Sequence, residues 1–69
     1  MLDQKIKALK ATDKFRVLAL ANYKAEKENT KTYENNDRWL KDPKWRNEKI
    51  ESKLEEAYNE FMKGKVQNV

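Results

Sequence analysis

Three carboxylates have the spacing that acid–base or metal chemistry would need. Glu48, Glu51 and Glu55 fall at i, i+3 and i+7, so a helix would carry them on one face. A pair of such groups can act as general acid and base, and a cluster can bind a divalent cation. Their face lies opposite the apolar stripe of the same segment, where burial cannot prepare a carboxyl group for proton transfer at neutral pH. We therefore interpret them as a solvated helix surface.

The residue types that most enzymes depend on are missing. The chain contains no histidine and no cysteine, so it lacks the usual base near neutral pH, the commonest zinc ligands and the thiol nucleophile. Its one glycine is too few for a Gly-rich phosphate loop, a G-x-S-x-G turn or an EF-hand loop. The sequence therefore predicts a non-enzymatic protein with no catalytic residue, no metal site and no cofactor.

One segment has an unusual composition. Residues 38–46 read Arg-Trp-Leu-Lys-Asp-Pro-Lys-Trp-Arg and hold both tryptophans and four basic residues. On a regular helix Trp45 points nearly away from the apolar stripe that follows it. An outward Trp45 beside Lys44 and Arg46 would be a stacking platform flanked by phosphate-binding cations, or an anchor for a protein partner.

The tryptophans also have a structural interpretation. Trp45, in the first turn of a helix, can fold back onto residues 30–40 and close that end of the core. At least one of Trp39 and Leu40 is expected to belong to the core. Both interpretations of Trp45 remain open at the level of sequence.

The basic residues are unevenly distributed. They outnumber acidic residues 16 to 12, for a net charge of +4. Residues 1–16 and residues 35–49 are each net positive, whereas residues 50–69 are net negative. If the first helix and the tryptophan region lie side by side, they form a basic surface suited to a nucleic-acid backbone; otherwise they are solvated faces. The predicted binding residues, for nucleic acid or a partner, are Lys5, Lys7, Lys10, Arg38, Lys41, Lys44, Trp45 and Arg46.

Two functions fit this pattern. The leading hypothesis is a small nucleic-acid-binding accessory or regulatory protein that contacts phosphates, although no helix-turn-helix pattern is evident. The alternative is a protein-interaction module, such as an adaptor, inhibitor or regulatory subunit, that docks through an exposed Trp or apolar helical surface. A chain of 69 residues has only a marginal hydrophobic core, which favours a larger protein partner or a homodimer.

A membrane-surface helix is a third and weaker hypothesis, because the apolar side of the first helix, Leu2, Ile6 and Leu9, is short and is interrupted by Asp13. No run approaches the roughly 18 consecutive apolar residues of a membrane span, and the N-terminus lacks the order of a signal peptide. We therefore expect a soluble, cytoplasmic protein with no membrane partner. Its small size and its richness in lysine and asparagine resemble, in a general way, the small proteins of phages and plasmids from AT-rich bacteria.

The periodicity predicts a single all-α domain, residues 1–69, that forms a small bundle of about three to four helices at about residues 2–11, 13–29, 37–41 and 43–63. Asp42 and Pro43 supply a cap and a proline at the first helical position, and Gly64 is placed to end that helix in a left-handed conformation. Asn36 or Asp37 is the candidate cap of the short helix. The last helix carries an apolar stripe of Ile50, Leu54, Ala57, Tyr58 and Phe61.

The N-terminal segment allows three interpretations. Thr12 is a candidate cap for a helix starting at Asp13, which favours two helices with a break between them. One long bent helix ranks second, and a buried strand at residues 15–20 ranks third because alanines and helix formers surround it. Residues 15–23 are apolar almost all round, so we expect them to be the most buried part of the molecule.

Overall fold

The computed structural model describes residues 2–67 of the chain and the side chains of residues 2–64. Within that range it has no β-strand and five α-helices, so the all-α prediction is confirmed with slightly more helices than expected. The helices are α1 (Leu2–Lys7), α2 (Ala11–Asn29), α3 (Tyr33–Lys41), α4 (Pro43–Ser52) and α5 (Leu54–Gln67). None of these helices is long and apolar enough to cross a membrane.

A break between α1 and α2 confirms the two-helix interpretation of the N-terminal segment. The N–H of Ala8 donates to the carbonyl of Gln4, and the N–H of Leu9 donates to the carbonyl of Ile6. The second of these bonds tightens the last turn, and α1 ends before residue 8 rather than near residue 11. The side chain of Leu9 packs against the core, so its burial fixes the position of the turn.

The start of α2 differs from the predicted one. The helix begins at Ala11 rather than Asp13, and its N-cap is Lys10, which has an extended backbone and makes no side-chain capping hydrogen bond. Thr12 is therefore not the cap, because it lies inside the first turn. The chain is already extended at Lys10 after the turn at Leu9, so helical geometry starts two residues early.

Helix α3 is longer than the predicted turn at residues 37–41. It begins at Tyr33, and the Thr32 hydroxyl accepts a hydrogen bond of 3.1 Å from the N–H of Asn35. Because Thr32 already supplies the cap, Asn36 and Asp37 lie within the helix and cap nothing there.

The predicted start of the last helical region is confirmed. The prediction that this region is one continuous helix is wrong. Asp42 caps α4 by accepting from the N–H of Trp45 at 3.1 Å, with Pro43 at the first helical position. The region then divides at Lys53 into α4 and α5. The N–H of Lys53 donates to the carbonyl of Ile50, three residues back, and the Ser52 hydroxyl donates to the carbonyl of Lys49. Such bonds compete with the regular helical pattern and bend or interrupt a helix.

The end of this region also lies beyond the predicted residue. Gly64 does not adopt a left-handed conformation, and α5 continues past it to Gln67. Glycine is tolerated within a helix at a cost of about 1 kcal/mol relative to alanine, so its presence alone does not end one.

Helix α2 is the centre of the packing and contacts α3, α4 and α5. Val17 and Ala21 of α2 meet Ala57 of α5 in the fully buried cluster. Ala25 and Trp39 are also buried. The predicted apolar stripe of the last helical region faces this cluster, as expected. The partly buried side chains packed against it are Leu9, Leu20, Ile50, Leu54, Tyr58 and Phe61.

The expectation that residues 15–23 are the most buried part of the molecule is wrong. Phe15, Leu18 and Tyr23 are exposed, because α4 and α5 cover only one side of α2. The segment is apolar on two sides, and only one of them faces the core of this chain.

Candidate interaction surfaces

The unusual 38–46 segment forms the junction between α3 and α4. The rings of Trp39 and Trp45 meet edge to face, with centroids 6.1 Å apart and planes at 83°. Trp39 is buried and Trp45 is half-buried. Trp45 therefore packs back onto α3, as the structural interpretation predicts, and Trp39 rather than Leu40 is the core residue.

Charged side chains complete this junction, which we call the tryptophan clasp (Arg38, Trp39, Asp42, Trp45 and Arg46). The Arg38 guanidinium carbon lies 4.4 Å from the Trp45 ring centroid, and its Nε lies 3.5 Å from Asp42 Oδ2. Arg46 Nη1 donates to the Trp39 carbonyl at 2.9 Å. The pKa of Asp42 is lowered chiefly because its carboxylate accepts from the Trp45 N–H, and Arg38 adds to the effect. Both arginines thus have partners within the chain.

The predicted basic surface is not assembled by helix packing among the described residues. Lys5 and Lys7 of α1 and the adjoining Lys10 are exposed, as is Lys44 in the first turn of α4. However, α1 makes no extensive packing contact with α3 or α4, so helix packing does not hold the two basic regions together. Lys41 lies 3.1 Å from Asp37 on its own helix.

The carboxylates with catalytic spacing lie on the surface. Glu48, Glu51 and Glu55 are all exposed, and the break at Lys53 places Glu55 on a different helix from the other two. In the part of the chain that the structure describes, no group of three or more carboxylates is placed to hold a metal ion.

An ion-pair network connects α2 to the junction of α4 and α5. The Lys24 ammonium bridges Glu56, at 3.6 Å, and Glu60, while Lys53 bridges Glu28 and, at 3.5 Å, Glu56. Hydrogen bonds that the two ammonium groups donate to Glu60 and Glu28 are the main reason that the pKa values of Lys24 and Lys53 are raised. The hydrogen bond from Lys53 in turn lowers the pKa of Glu28. These pairs orient α5 antiparallel to α2.

A shallow cleft lies beside this network, with Tyr23, Lys27 and Lys31 on its rim. The two lysines at its base, Lys24 and Lys53, are already paired with carboxylates. The lining as a whole holds four lysines and two glutamates, so it has a net positive charge to which Lys27 and Lys31 contribute.

Among the described side chains, three of the five large apolar residues that are exposed lie on α2. Phe15, Leu18 and Tyr23 are 72%, 47% and 60% exposed, and Ala19 and Asn22 between them are exposed too. We call these five residues the α2 outer face. Their spacing of i, i+3, i+4, i+7 and i+8 is that of one side of a helix.

The outer face lies opposite the side of α2 that packs into the core, which carries Val17, Ala21 and Ala25. Apolar residues on both sides of α2 were visible in the sequence, but the interpretation of that pattern as complete burial missed the exposed surface. A smaller exposed pair, Tyr33 and Leu40, lies seven residues apart on one side of α3.

No protein-family model, curated protein sequence or solved structure matches the chain significantly.

Proposed function

We propose that this protein is a non-enzymatic interaction module that docks onto another polypeptide through the α2 outer face. The observation that carries the proposal is the distribution of large and small apolar residues. Three of the five buried residues are alanines, and Val17 is the largest fully buried side chain, whereas Phe15, Leu18 and Tyr23 face solvent. A helix that is apolar on two sides usually has neighbours on both.

The chemistry of the outer face suits a protein partner. Phe15 and Tyr23 are large, rigid side chains of the kind enriched at the centres of protein interfaces, and the small Ala19 between them allows close approach of another backbone. The apolar residues of the outer face stand at i, i+3, i+4 and i+8, with the polar Asn22 at i+7. This spacing places them on one side of the helix, as helix-on-helix packing requires. Burial of each large apolar side chain contributes roughly 1.5–3 kcal/mol to such contacts.

Trp45 supports docking less well than the outer face does. Arg38 lies over its ring and Trp39 contacts its edge, so the indole is half-buried within the chain itself. An anchor at an interface must be able to enter a pocket on the partner. Trp45 would have to leave the clasp to do so.

Photo-crosslinking tests the proposal in the cells that make the protein. A photoreactive phenylalanine analogue in place of Phe15 should capture a polypeptide, because this position lies in the outer face. The same analogue in place of Glu48, which is exposed on α4, is the matched control and should capture nothing specific. Leu18→Lys should abolish capture from position 15. Equal labelling from both positions, or none from position 15, would contradict the proposal.

Binding to a nucleic-acid backbone is a second candidate function. It is supported by the net charge of +4 and by the exposure of Lys5, Lys7, Lys10 and Lys44. The other predicted contacts, Arg38, Lys41, Trp45 and Arg46, make interactions within the chain. This function therefore rests mainly on the lysines.

A further inference from the structure

We infer that the polypeptide which covers the α2 outer face is a second copy of this chain, with the two α2 helices packed antiparallel around a two-fold axis near Leu18 and Ala19. The inference rests on the proposed function, because it names the partner of the same surface. Three observations favour a second copy: the order of large and small residues, the distribution of charge along α2, and the apolar area exposed.

The outer face is self-complementary when two copies run antiparallel. Positions 15 and 22 lie equally far from the midpoint between residues 18 and 19, so Phe15 of one copy faces Asn22 of the other, beside Tyr23. The small Ala19 lies at the centre, where the two backbones approach most closely. In a parallel arrangement Phe15 of one copy would instead face Phe15 of the other, and Tyr23 would face Tyr23. Two-fold dimers, whose contacts are isologous, are the commonest oligomers of soluble proteins.

The charges beside the outer face also favour the antiparallel arrangement. Glu26 is exposed on the same side of α2, one turn beyond Asn22, and it lies as far from the midpoint as Ala11. An antiparallel dimer therefore places Glu26 against the first turn of the other α2. That turn has the positive end of the helix dipole, which attracts Glu26, and the exposed Lys10 lies just before it. Lys27, which lies over the Tyr23 ring, is as far from the midpoint as Lys10 and offsets part of the attraction. A parallel dimer would place Glu26 of one copy against Glu26 of the other, where the two negative charges repel.

The exposed area corresponds to a small interface, of the size found in weak and reversible complexes. Aromatic side chains each bury roughly 150–250 Å², and Phe15 and Tyr23 are 72% and 60% exposed. Together with Leu18 and Ala19 they would remove about 800 Å² from water across both copies. Contacts from neighbouring residues, such as Glu26 with Lys10, bring the total towards the lower limit of about 1,200 Å² for specific interfaces.

The mass of the full-length protein in solution tests whether a second copy binds. Sedimentation equilibrium from about 1 μM to about 1 mM covers the affinities of interfaces near this limit. The mass should rise with concentration from 8.3 kDa to twice that value. Leu18→Lys should weaken association at least tenfold, whereas Asn47→Lys, which adds the same charge on the exposed side of α4, should not. Both positions are exposed, and circular dichroism verifies that each variant is helical.

Engineered cysteines test the orientation, since the chain has no cysteine of its own. Ala11→Cys and Glu26→Cys, each oxidised alone, should remain uncrosslinked, because in an antiparallel dimer two equivalent positions lie about 22 Å apart. A mixture of the two variants should form the mixed disulfide, which requires Cα atoms within about 7 Å. Crosslinking of each variant with itself would overturn the antiparallel arrangement.

The outcomes separate this inference from the proposed function. A constant mass of 8.3 kDa at every concentration overturns the dimer. If position 15 still captures a different polypeptide by photo-crosslinking, the interaction function stands and its partner is another protein. If position 15 captures nothing and the mass stays constant, both are wrong.

Discussion

Asp42 joins two helices through its two carboxylate oxygens. Oδ1 accepts from the Trp45 N–H at the start of α4, and Oδ2 lies 3.5 Å from Arg38 Nε on α3. Arg38 in turn covers the Trp45 ring. A single side chain thus fixes the angle between α3 and α4 and the position of the indole. The sequence predicted the cap from the Asp-Pro pair, but not the contact with Arg38.

This arrangement makes a prediction about pH. The pKa of Asp42 is lowered in the folded protein, so the carboxylate stabilises the fold above the ordinary value of 3.8, and that stability is lost as the pH falls through the folded pKa. Asp42→Asn keeps an amide oxygen for the cap but cannot ionise. We expect its urea midpoint to lie below that of the wild type near pH 7, with the difference shrinking below about pH 4. Glu48→Gln, at an exposed carboxylate in the middle of α4, serves as the control for loss of one negative charge. A difference that does not change with pH would contradict this role for the Asp42 carboxylate.

Helix α5 offers a second prediction, because two interpretations of Gly64 predict opposite changes in stability when this residue is replaced by alanine. In the structure Gly64 lies within the helix, has no positive φ, and has open space where a Cβ would be added. Gly64→Ala should therefore stabilise the protein by about 0.5–1 kcal/mol, through a smaller loss of backbone entropy on folding. If Gly64 instead ended the helix in a left-handed conformation, the same change would destabilise it. Urea unfolding at one fixed protein concentration measures whether the free energy of unfolding rises or falls.

The limits of helix prediction follow from what each pattern encodes. The break before α2 was predicted from Thr12, which lies inside the helix and is not its cap. The start of α4 was predicted correctly, because Asp42 and Pro43 are local signals. The division at Lys53 was not, because the stripe from Ile50 to Phe61 keeps its helical spacing across it. The early start of α3 came from a local signal that was overlooked, the hydroxyl of Thr32 three residues before Asn35.

The candidate surface was only partly predictable for a different reason. An apolar side chain has the same sequence pattern whether its own chain or another chain covers it, so Phe15 and Leu18 were expected in the core. The basic residues were assigned to a binding surface by residue type, but the contacts that each one makes in the folded chain decide what it does. Arg46, for example, donates to the Trp39 carbonyl. The ion pairs of Lys24 with Glu60 and of Lys53 with Glu28 have no periodic signal, because they join residues far apart in the chain.

For the whole molecule, the pattern of burial favours a protein partner, whereas the net charge favours a nucleic acid. The small fully buried core and the exposed α2 outer face favour contact with protein. The net charge of +4 favours contact with phosphate, and a dimer would double it. The two are compatible, because exposed lysines such as Lys5 and Lys7 lie on α1 while the outer face lies on α2.

Salt dependence separates general charge attraction from contacts made by the N-terminal lysines. If Lys5, Lys7 and Lys10 bind phosphates of double-stranded DNA, the logarithm of the binding constant should fall with the logarithm of salt concentration by about 0.9 for each contact. Replacing all three by Gln should then reduce the slope by about 2.7. A control in which three other exposed lysines, Lys27, Lys31 and Lys63, are replaced by Gln has the same net charge and should keep most of the slope. Equal losses in the two variants would mean that net charge alone attracts the DNA, and a flat salt dependence in the wild type would exclude backbone binding by these lysines.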